Sequence, residues 1–384
     1  MRTFKRTRKL SAVVCAILTL LCGKANAENS GQVATSARSA VILEQTTGRV
    51  LLANNAHEKL PMASTTKVMT ALLALENGNL DDVVTVGRNA YGVPGTSIYL
   101  ALGEQITLRD LLYGLMLASG NDAAVAIAEH IGGSVEKFCA MMTARAQEIG
   151  CENTVFLTPH GLPREGHYTT AYDLALIARE AMTNAAFREI VSTQRASIPW
   201  EGRSYHRILQ NKNRLLSEYE GATGIKTGYT KAAGRCLVFG AQRDMLEVTG
   251  VLLNCPEWFT EAEKLMNTAF DRYEMFTAFT AGENVRVLPV ENGKQETVCI
   301  RCADALAAPV PRGSVPDVEI DLPDTVSAGG CEGETTGEAR LVLNGETLAK
   351  TSLVLGRTLA KRDYAFEVER MLRHWPMYPQ TIAE

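Results

Sequence analysis

Two residues in the stretch PMASTTKVMTALLALE, Pro61 to Glu76, have the types and spacing to do chemistry: Ser64 and, three positions on, Lys67. Val68, Met69, Ala71, Leu72, Leu73 and Leu75 make the helix they open apolar on nearly every side, so it is expected to be buried. A lysine carried into such a core needs a reason. A serine hydroxyl is a weak nucleophile until an adjacent base takes its proton. An ammonium cannot be that base, and keeping a lysine neutral near pH 7 takes roughly 4 kcal/mol of differential stabilisation. Burial and a second cation both push that way. Ser64 also follows Pro61 at the helix start, where backbone N–H groups and the dipole favour developing negative charge. The pair therefore points to nucleophilic serine chemistry with Lys67 as the base.

Two further motifs follow in order: Ser119-Gly120-Asn121 and Lys226-Thr227-Gly228. Lys226 could be the second cation that keeps Lys67 neutral. One S-x-x-K alone carries little weight, because the chain holds another, Ser134 to Lys137, which follows Gly132-Gly133 and reads as a plain helix start. It also falls after Ser119-Gly120-Asn121, in the wrong order. Cys299-Ile300-Arg301-Cys302 is a lone CxxC with no second pair or nearby His, so no metal site is expected. It is expected to pack as thiols or as a local disulfide.

The elements that must position these motifs follow from pattern. SAVILEQTTGRVLLANN is two β-rich runs about a Thr-Gly turn, a hairpin. Helices are expected after Ser64, after the Thr107/Asp110 capping box, from Asp122 to His130, from about Val135 to Ile149 and over TAYDLALIAREAM. ATGIKTGYT, RCLVFGAQ and LEVTGVLLN read as adjacent antiparallel strands, and WFTEAEKLMNTAFDRYEMF as a closing helix. A hairpin, a helical block and then strands suggest one sheet completed by both ends, an α+β architecture. Beyond Ala281-Gly282 alternating strands with Asn-Gly turns form a small all-β domain, and FEVERMLRHWPMYPQ a short amphipathic tail. The expected divisions are 1–27, 28–280, 281–365 and 366–384.

Residues 1–27 read as an export signal, with a basic start, an apolar run from Leu10 to Cys22 and the cleavage pattern Ala25-Asn26-Ala27. Removing them takes away six basic residues and no acidic one, moving the formal charge from −4 to −10. So acidic a chain argues against nucleic acid as a partner and offers no polybasic surface to anionic lipid. Seven cysteines remain, and Cys139, Cys151, Cys236 and Cys255 lie in apolar segments as buried thiols.

S-x-x-K, S-x-N and K-T-G in this order are the signature of active-serine penicillin-recognising enzymes. With their flanks, GTSIYLALGEQITLRDLLYGLMLASGNDAA, TPHGL and GATGIKTGYTKAAGRCLV, they resemble serine-type D-alanyl-D-alanine carboxypeptidases of the low-molecular-weight penicillin-binding protein family, from about Val33 to Phe279 and more loosely through the β domain. The resemblance implies a transpeptidase/β-lactamase-like catalytic domain, an antiparallel sheet with packed helices and a helical subdomain. It implies Ser64 as nucleophile, Lys67 as general base and Ser119 as proton relay. Asn121 would hold a substrate carbonyl, Lys226 and Thr227 the terminal carboxylate, and Gly228 would admit the substrate strand. The backbone N–H groups of Ser64 and Tyr229 would form the oxyanion hole. No cofactor is implied. The implied partners are a peptidoglycan stem peptide ending in D-Ala-D-Ala and β-lactams as covalent inhibitors.

Some family members carry an arginine after the strand following K-T-G, whereas NCPEWFTEAEK has none, so carboxylate binding is expected to rest on Lys226 and Thr227. His160 is expected to be structural. The tail, with Phe366, Val368, Met371, Leu372 and Trp375 on one face and Arg370, Arg373 and His374 as basic partners, would lie on the outer membrane face or dock on the β domain. Three alternatives remain open. A β-lactamase would need Glu165 as deacylating base, a DD-endopeptidase would use the same residues in a wider cleft, and a non-catalytic sensor would be acylated without turnover.

Overall fold

The computed structural model describes residues 31–373. A six-stranded sheet is assembled from both ends of the region that precedes the C-terminal β strands. Its strands are β1 (Gly31–Gln32), β2 (Ser39–Glu44), β3 (Val50–Asn54), β4 (Ala222–Thr230), β5 (Gly234–Arg243) and β6 (Leu246–Leu253), in the spatial order β1-β3-β2-β6-β5-β4. The β2–β3 hairpin and the antiparallel β4–β5–β6 meander are as the sequence pattern predicts. They join where β2 pairs with β6, Val41 opposite Val251.

Every residue of β2 is buried, because helices cover both faces of the sheet. Val41 and Leu43 pack with the helical block, whereas Ala40 and Ile42 face the other side with Phe259, Leu265 and Met266. That alternation is the two-residue period of a strand used on both faces. The helical block comprises α1 (Lys67–Asn77), α2 (Leu108–Tyr113), α3 (Asn121–Gly132), α4 (Val135–Ile149), α5 (Ala171–Ala181) and α6 (Ala185–Ser192). Short α7 (Leu215–Glu218) precedes β4, and α8 (Trp258–Arg272) covers the back of the sheet.

Side-chain caps set several of the helix starts. Thr107 and Asp110 form their reciprocal cap, with Asp110 N donating to Thr107 Oγ1 at 3.1 Å. Ser134 caps α4 by accepting from Lys137 N at 3.2 Å, so the second S-x-x-K is a cap, as its Gly-Gly prelude suggests. Helix α1 is buried from Lys67 to Ala74. Full burial of Leu72 and Leu73 contributes about 1.5–3 kcal/mol each, which offsets the cost of burying Lys67.

The closing helix is shorter than expected. Helix α8 ends at Arg272, and Tyr273–Phe279 is a strand paired with Leu306–Pro311. Tyr, Phe and Thr favour a pleated, half-buried surface, and a waiting partner strand decides the matter. The C-terminal domain is all β, with a six-stranded sheet around a core that includes Leu288, Ile300, Leu341 and Leu353. Its Asn344-Gly345 turn has φ of 52° and 82°, the two left-handed residues of a tight hairpin. Arg49 Nη1 donates to Pro309 O at 3.0 Å, tying the two regions together.

All seven described cysteines are free thiols. A local disulfide within CxxC is excluded because Thr297–Cys302 is a strand: Cys302 is buried and Cys299 lies on the opposite face. The tail helix α9 (Tyr364–Arg373) buries none of its residues. Residues 1–27, Trp375 and His374 lie outside the described residues. Among the described residues no helix is long and apolar enough to cross a membrane.

A buried ion pair braces the approach to the site. Arg207 donates to both Glu104 oxygens at 2.6 and 2.8 Å, with both side chains almost fully buried. It thereby ties the Arg195–Ile198/Arg207–Gln210 hairpin to the segment before α2. Removing one partner of such a pair leaves an uncompensated charge. Glu104→Gln is expected to cost about 3–5 kcal/mol in urea denaturation, and Glu104→Leu/Arg207→Leu to recover much of the loss. A wild-type midpoint for Glu104→Gln would show that the pair does not brace the fold.

Candidate active site

Strand β4 lies at one edge of the sheet, and its K-T-G segment runs directly beside the start of the α1 segment. A Cβ on Gly228 would come within 2.9 Å of Ser64 N and 3.0 Å of Thr65 N, so only glycine permits this approach. Ser64 sits in a 3-10 turn, Ala63–Thr66, that precedes α1 rather than in the helix proper. Ala63 has φ of +50° and Ser119 φ of +65°, left-handed values that cost energy in a residue with a side chain and that cluster at functional sites. Hydroxyls pin the turn: Thr65 Oγ1 donates to Met62 O at 2.6 Å and Thr66 Oγ1 to Ala63 O at 2.8 Å. Gly161, at φ +84°, packs on the Ala63 carbonyl, where any Cβ would collide.

Lys67 is fully buried, and its Nζ has three neighbours: Ser64 Oγ at 2.9 Å, Asn121 Oδ1 at 2.7 Å and His160 O at 2.8 Å. Two of these are carbonyl oxygens, which only accept. Asn121 Nδ2 donates to Pro94 O at 2.7 Å, and this fixes the amide so that its oxygen faces the lysine. A neutral amine has two hydrogens and one lone pair. In that neutral form the carbonyls would take the two hydrogens, leaving the lone pair for the Ser64 hydroxyl. Burial, then Lys226, then Lys212 hold the Lys67 amine well below the usual lysine range, with Asp122 opposing them. The Lys67 amine thus lies within hydrogen-bond reach of the Ser64 hydroxyl in surroundings that disfavour its charge.

Lys226 is also buried, its Nζ donating to Thr227 O at 3.1 Å. Burial, with a smaller contribution from Lys212, brings it down to about 7. It is therefore a cation that can be lost near neutrality, and a neighbouring anion would stabilise its charge. Thr227 is buried beside it, and Tyr229 is largely exposed, 62%, at the outer end of the motif. Ser119 ends the Gly114–Ala118 helical segment, and Asn121 opens α3, so S-x-N spans a helix junction. Ser64, Lys67, Asn121 and Gly228 come together by these contacts, and Ser119 and Lys226 are buried in the same region.

Several contributors carry no motif of their own. Lys212 depresses both active-site lysines from a loop held by Asn211, whose Nδ2 donates to Val191 O and Thr193 O. Asp122 accepts from Ser97 Oγ and from the backbone N–H groups of Ile98 and Leu100, shaping the loop beside S-x-N. His160 contributes its backbone oxygen to Lys67. Its ring stays neutral, down to about 3 through burial and the neighbouring Lys67, and its Nδ1 accepts from Leu162 N. Among the described residues no cluster of His, Cys, Asp or Glu could hold a metal ion.

The family model described as D-alanyl-D-alanine carboxypeptidase matches residues 25–257. The chain belongs to this family. A second family model, the C-terminal domain of penicillin-binding protein 5, matches residues 273–361. The D-alanyl-D-alanine carboxypeptidase DacF of Bacillus subtilis is 32% identical over 97% of this chain and 99% of its own length. DacC of Escherichia coli is 31% identical over 83% of each. Penicillin-binding protein 5 from Haemophilus influenzae superposes with a TM-score of 0.73 at 28% identity, covering 86% of this chain and all but 1% of that one.

If Lys67 is the general base and Lys226 holds the substrate carboxylate, activity requires Lys67 without its proton and Lys226 with it. kcat/KM should therefore fall as acid protonates Lys67, and KM should rise as pH climbs through about 7 and Lys226 loses its charge. A bound substrate carboxylate holds the Lys226 proton, so the alkaline limb of kcat should lie above that of kcat/KM. A KM that stays flat from about pH 6 to about pH 9 would remove Lys226 from carboxylate binding.

Proposed function

We propose that this chain is an exported serine-type carboxypeptidase that removes the terminal D-Ala from peptidoglycan stem peptides ending in D-Ala-D-Ala. The observation that carries the reading is the Lys67 amine, its two hydrogens held by carbonyls and its remaining position 2.9 Å from Ser64 Oγ. Ser64 Oγ attacks the penultimate D-Ala carbonyl as Lys67 takes the hydroxyl proton. The oxyanion forms between the backbone N–H groups of Ser64 and Tyr229, where two preorganised donors contribute several kcal/mol of stabilisation. The C–N bond breaks, and the proton passes through Ser119 to the departing amine. Water then hydrolyses the acyl-Ser64 ester, with Lys67 again receiving a proton. Asn121 Nδ2, with one hydrogen on Pro94 O, has a second for the substrate carbonyl. Lys226 and Thr227 hold the terminal carboxylate, and Gly228 lets the substrate strand lie against the nucleophile.

A β-lactam acylates Ser64 by the same route and stalls. Glu165 is exposed and makes no hydrogen bond to Ser64 or Lys67, which favours slow deacylation over a β-lactamase. The leader of residues 1–27 supports an extracytoplasmic location. The apolar side chains Met371 and Leu372 of α9, both exposed, support peripheral contact with the outer face of the membrane.

Ser64→Ala should abolish both D-Ala release and covalent labelling by fluorescent penicillin. Lys67→Arg should slow acylation by about 10²–10⁴-fold, because a guanidinium does not give up its proton. Residual labelling of Ser64→Ala, or normal acylation by Lys67→Arg, would refute the respective role. Labelling of the wild type without D-Ala release would favour an endopeptidase or a sensor.

A further inference from the structure

Three aromatic side chains gather at the surface near the cleft, apart from the reacting groups. Tyr99 is 74% exposed and Tyr205 55% exposed, and Trp200 is half-buried. Arg207 is their hub. Its Nη2 donates to Tyr99 O at 3.1 Å, its Nη1 to Pro199 O at 3.1 Å, and its guanidinium lies over the Trp200 ring, 4.6 Å from the centroid. The Trp200 and Tyr205 rings meet edge to face with 5.7 Å between centroids. None of the catalytic steps above uses these rings.

The cluster is held in place from both sides. Tyr99 has φ of +61°, a left-handed value that is uncommon in a bulky residue. Its two neighbours are fixed, because Ile98 N and Leu100 N each donate to the buried Asp122 carboxylate at 3.1 Å. Ile98 and Leu100 enter the core, and the strained residue between them presents its ring to solvent. The facing hairpin is tied down by the Arg207–Glu104 pair and where Glu201 Oε2 accepts from Gln105 N at 2.7 Å. Strain kept up by such anchoring clusters at functional positions. The same loop also reaches the catalytic groups: Thr96 O accepts from Asn121 N at 2.7 Å, and Asn121 Oδ1 accepts from Lys67 Nζ.

Chemistry selects the occupant. A pyranose ring presents an apolar C–H face and a polar edge, which suits an exposed aromatic surface rimmed by hydrogen-bonding groups. Such groups flank the rings: Ser197 Oγ and His206 Nδ1, 3.3 Å apart, and the exposed side chain of Gln105. Anionic lipid fits less well, because the chain is itself acidic, with a formal charge of −4.

We propose that Tyr99, Trp200 and Tyr205 form a platform for the amino-sugar glycan strand that bears the stem peptides. A strand held there keeps its stems at high effective concentration near Ser64 and adds no contact to the reacting peptide. The inference rests on the carboxypeptidase reading for its substrate, and its test separates the two.

D-Ala release is measured from glycan strands carrying pentapeptide stems and from the free N-acetylated pentapeptide, using wild type, Tyr99→Asn, Tyr205→Ser and the double variant. Asparagine tolerates the left-handed backbone, so Tyr99→Asn removes the ring without added strain. Co-sedimentation reads binding to insoluble glycan stripped of its peptides and, separately, to vesicles of anionic phospholipid. Fluorescent-penicillin labelling verifies an intact Ser64 in each variant. The wild type should prefer the glycan-borne stem by about tenfold or more in kcat/KM, as expected of a tethered substrate. The double variant should bring that ratio near one and lose binding to stripped glycan, with release from the free pentapeptide unchanged. A ratio and glycan binding unchanged in the double variant would overturn the platform, as would wild-type sedimentation with vesicles and not with glycan. Labelled wild type that binds stripped glycan yet releases D-Ala from neither substrate would overturn the carboxypeptidase reading and not the glycan site.

Discussion

A lysine amine buried between two carbonyl oxygens and a serine hydroxyl, and held well below its usual range, is the constraint on which the rest of the N-terminal region depends. An amine of that kind is costly to keep, because water would rather hold it as an ammonium. The structure meets the cost with the apolar mass of α1 and its neighbours and with two further lysines, Lys226 and Lys212, whose charges oppose a third. Asn121 and the His160 carbonyl take up the hydrogens of the amine, so a buried polar group is left without a penalty for missing partners. Each of these contributors comes from a different segment of the chain.

That constraint explains the surrounding architecture. The sheet is closed by the pairing of the N-terminal hairpin with the β4–β5–β6 meander, which brings the K-T-G strand to an edge beside Ser64. Gly228 allows that edge to approach Ser64 N, and Gly161 allows the opposite loop to approach Ala63 O. Strained backbone falls at Ala63, beside Ser64, and at Ser119, the first residue of S-x-N, and the Thr65 and Thr66 hydroxyls pin the turn at Ala63.

Much of the fold was legible in the chain because its signals are local. Caps at Thr107 and Ser134, the hairpin around Thr47-Gly48 and the Asn344-Gly345 turn each follow from a few neighbouring residues. The segment YEMF shows the limit of that approach: it continues a helical pattern, yet it forms a strand because Leu306–Pro311 lies ready to pair with it. CxxC likewise reads as a pair only until strand alternation sends its thiols to opposite faces.

The sequence by itself determined the three motifs, their order, the buried helix that carries a lysine and the likeness to a family of carboxypeptidases. Those depend on residue type and short spacing, which survive without coordinates. Only the tertiary structure decided that Asn121 and the His160 carbonyl take the amine's hydrogens, that Lys212 adds its field from a loop with no motif, and that Arg207 brings Tyr99 and Trp200 together. Each of these is a contact across tens of residues of chain, made by backbone atoms or by unremarkable side chains, and nothing in local spacing encodes it.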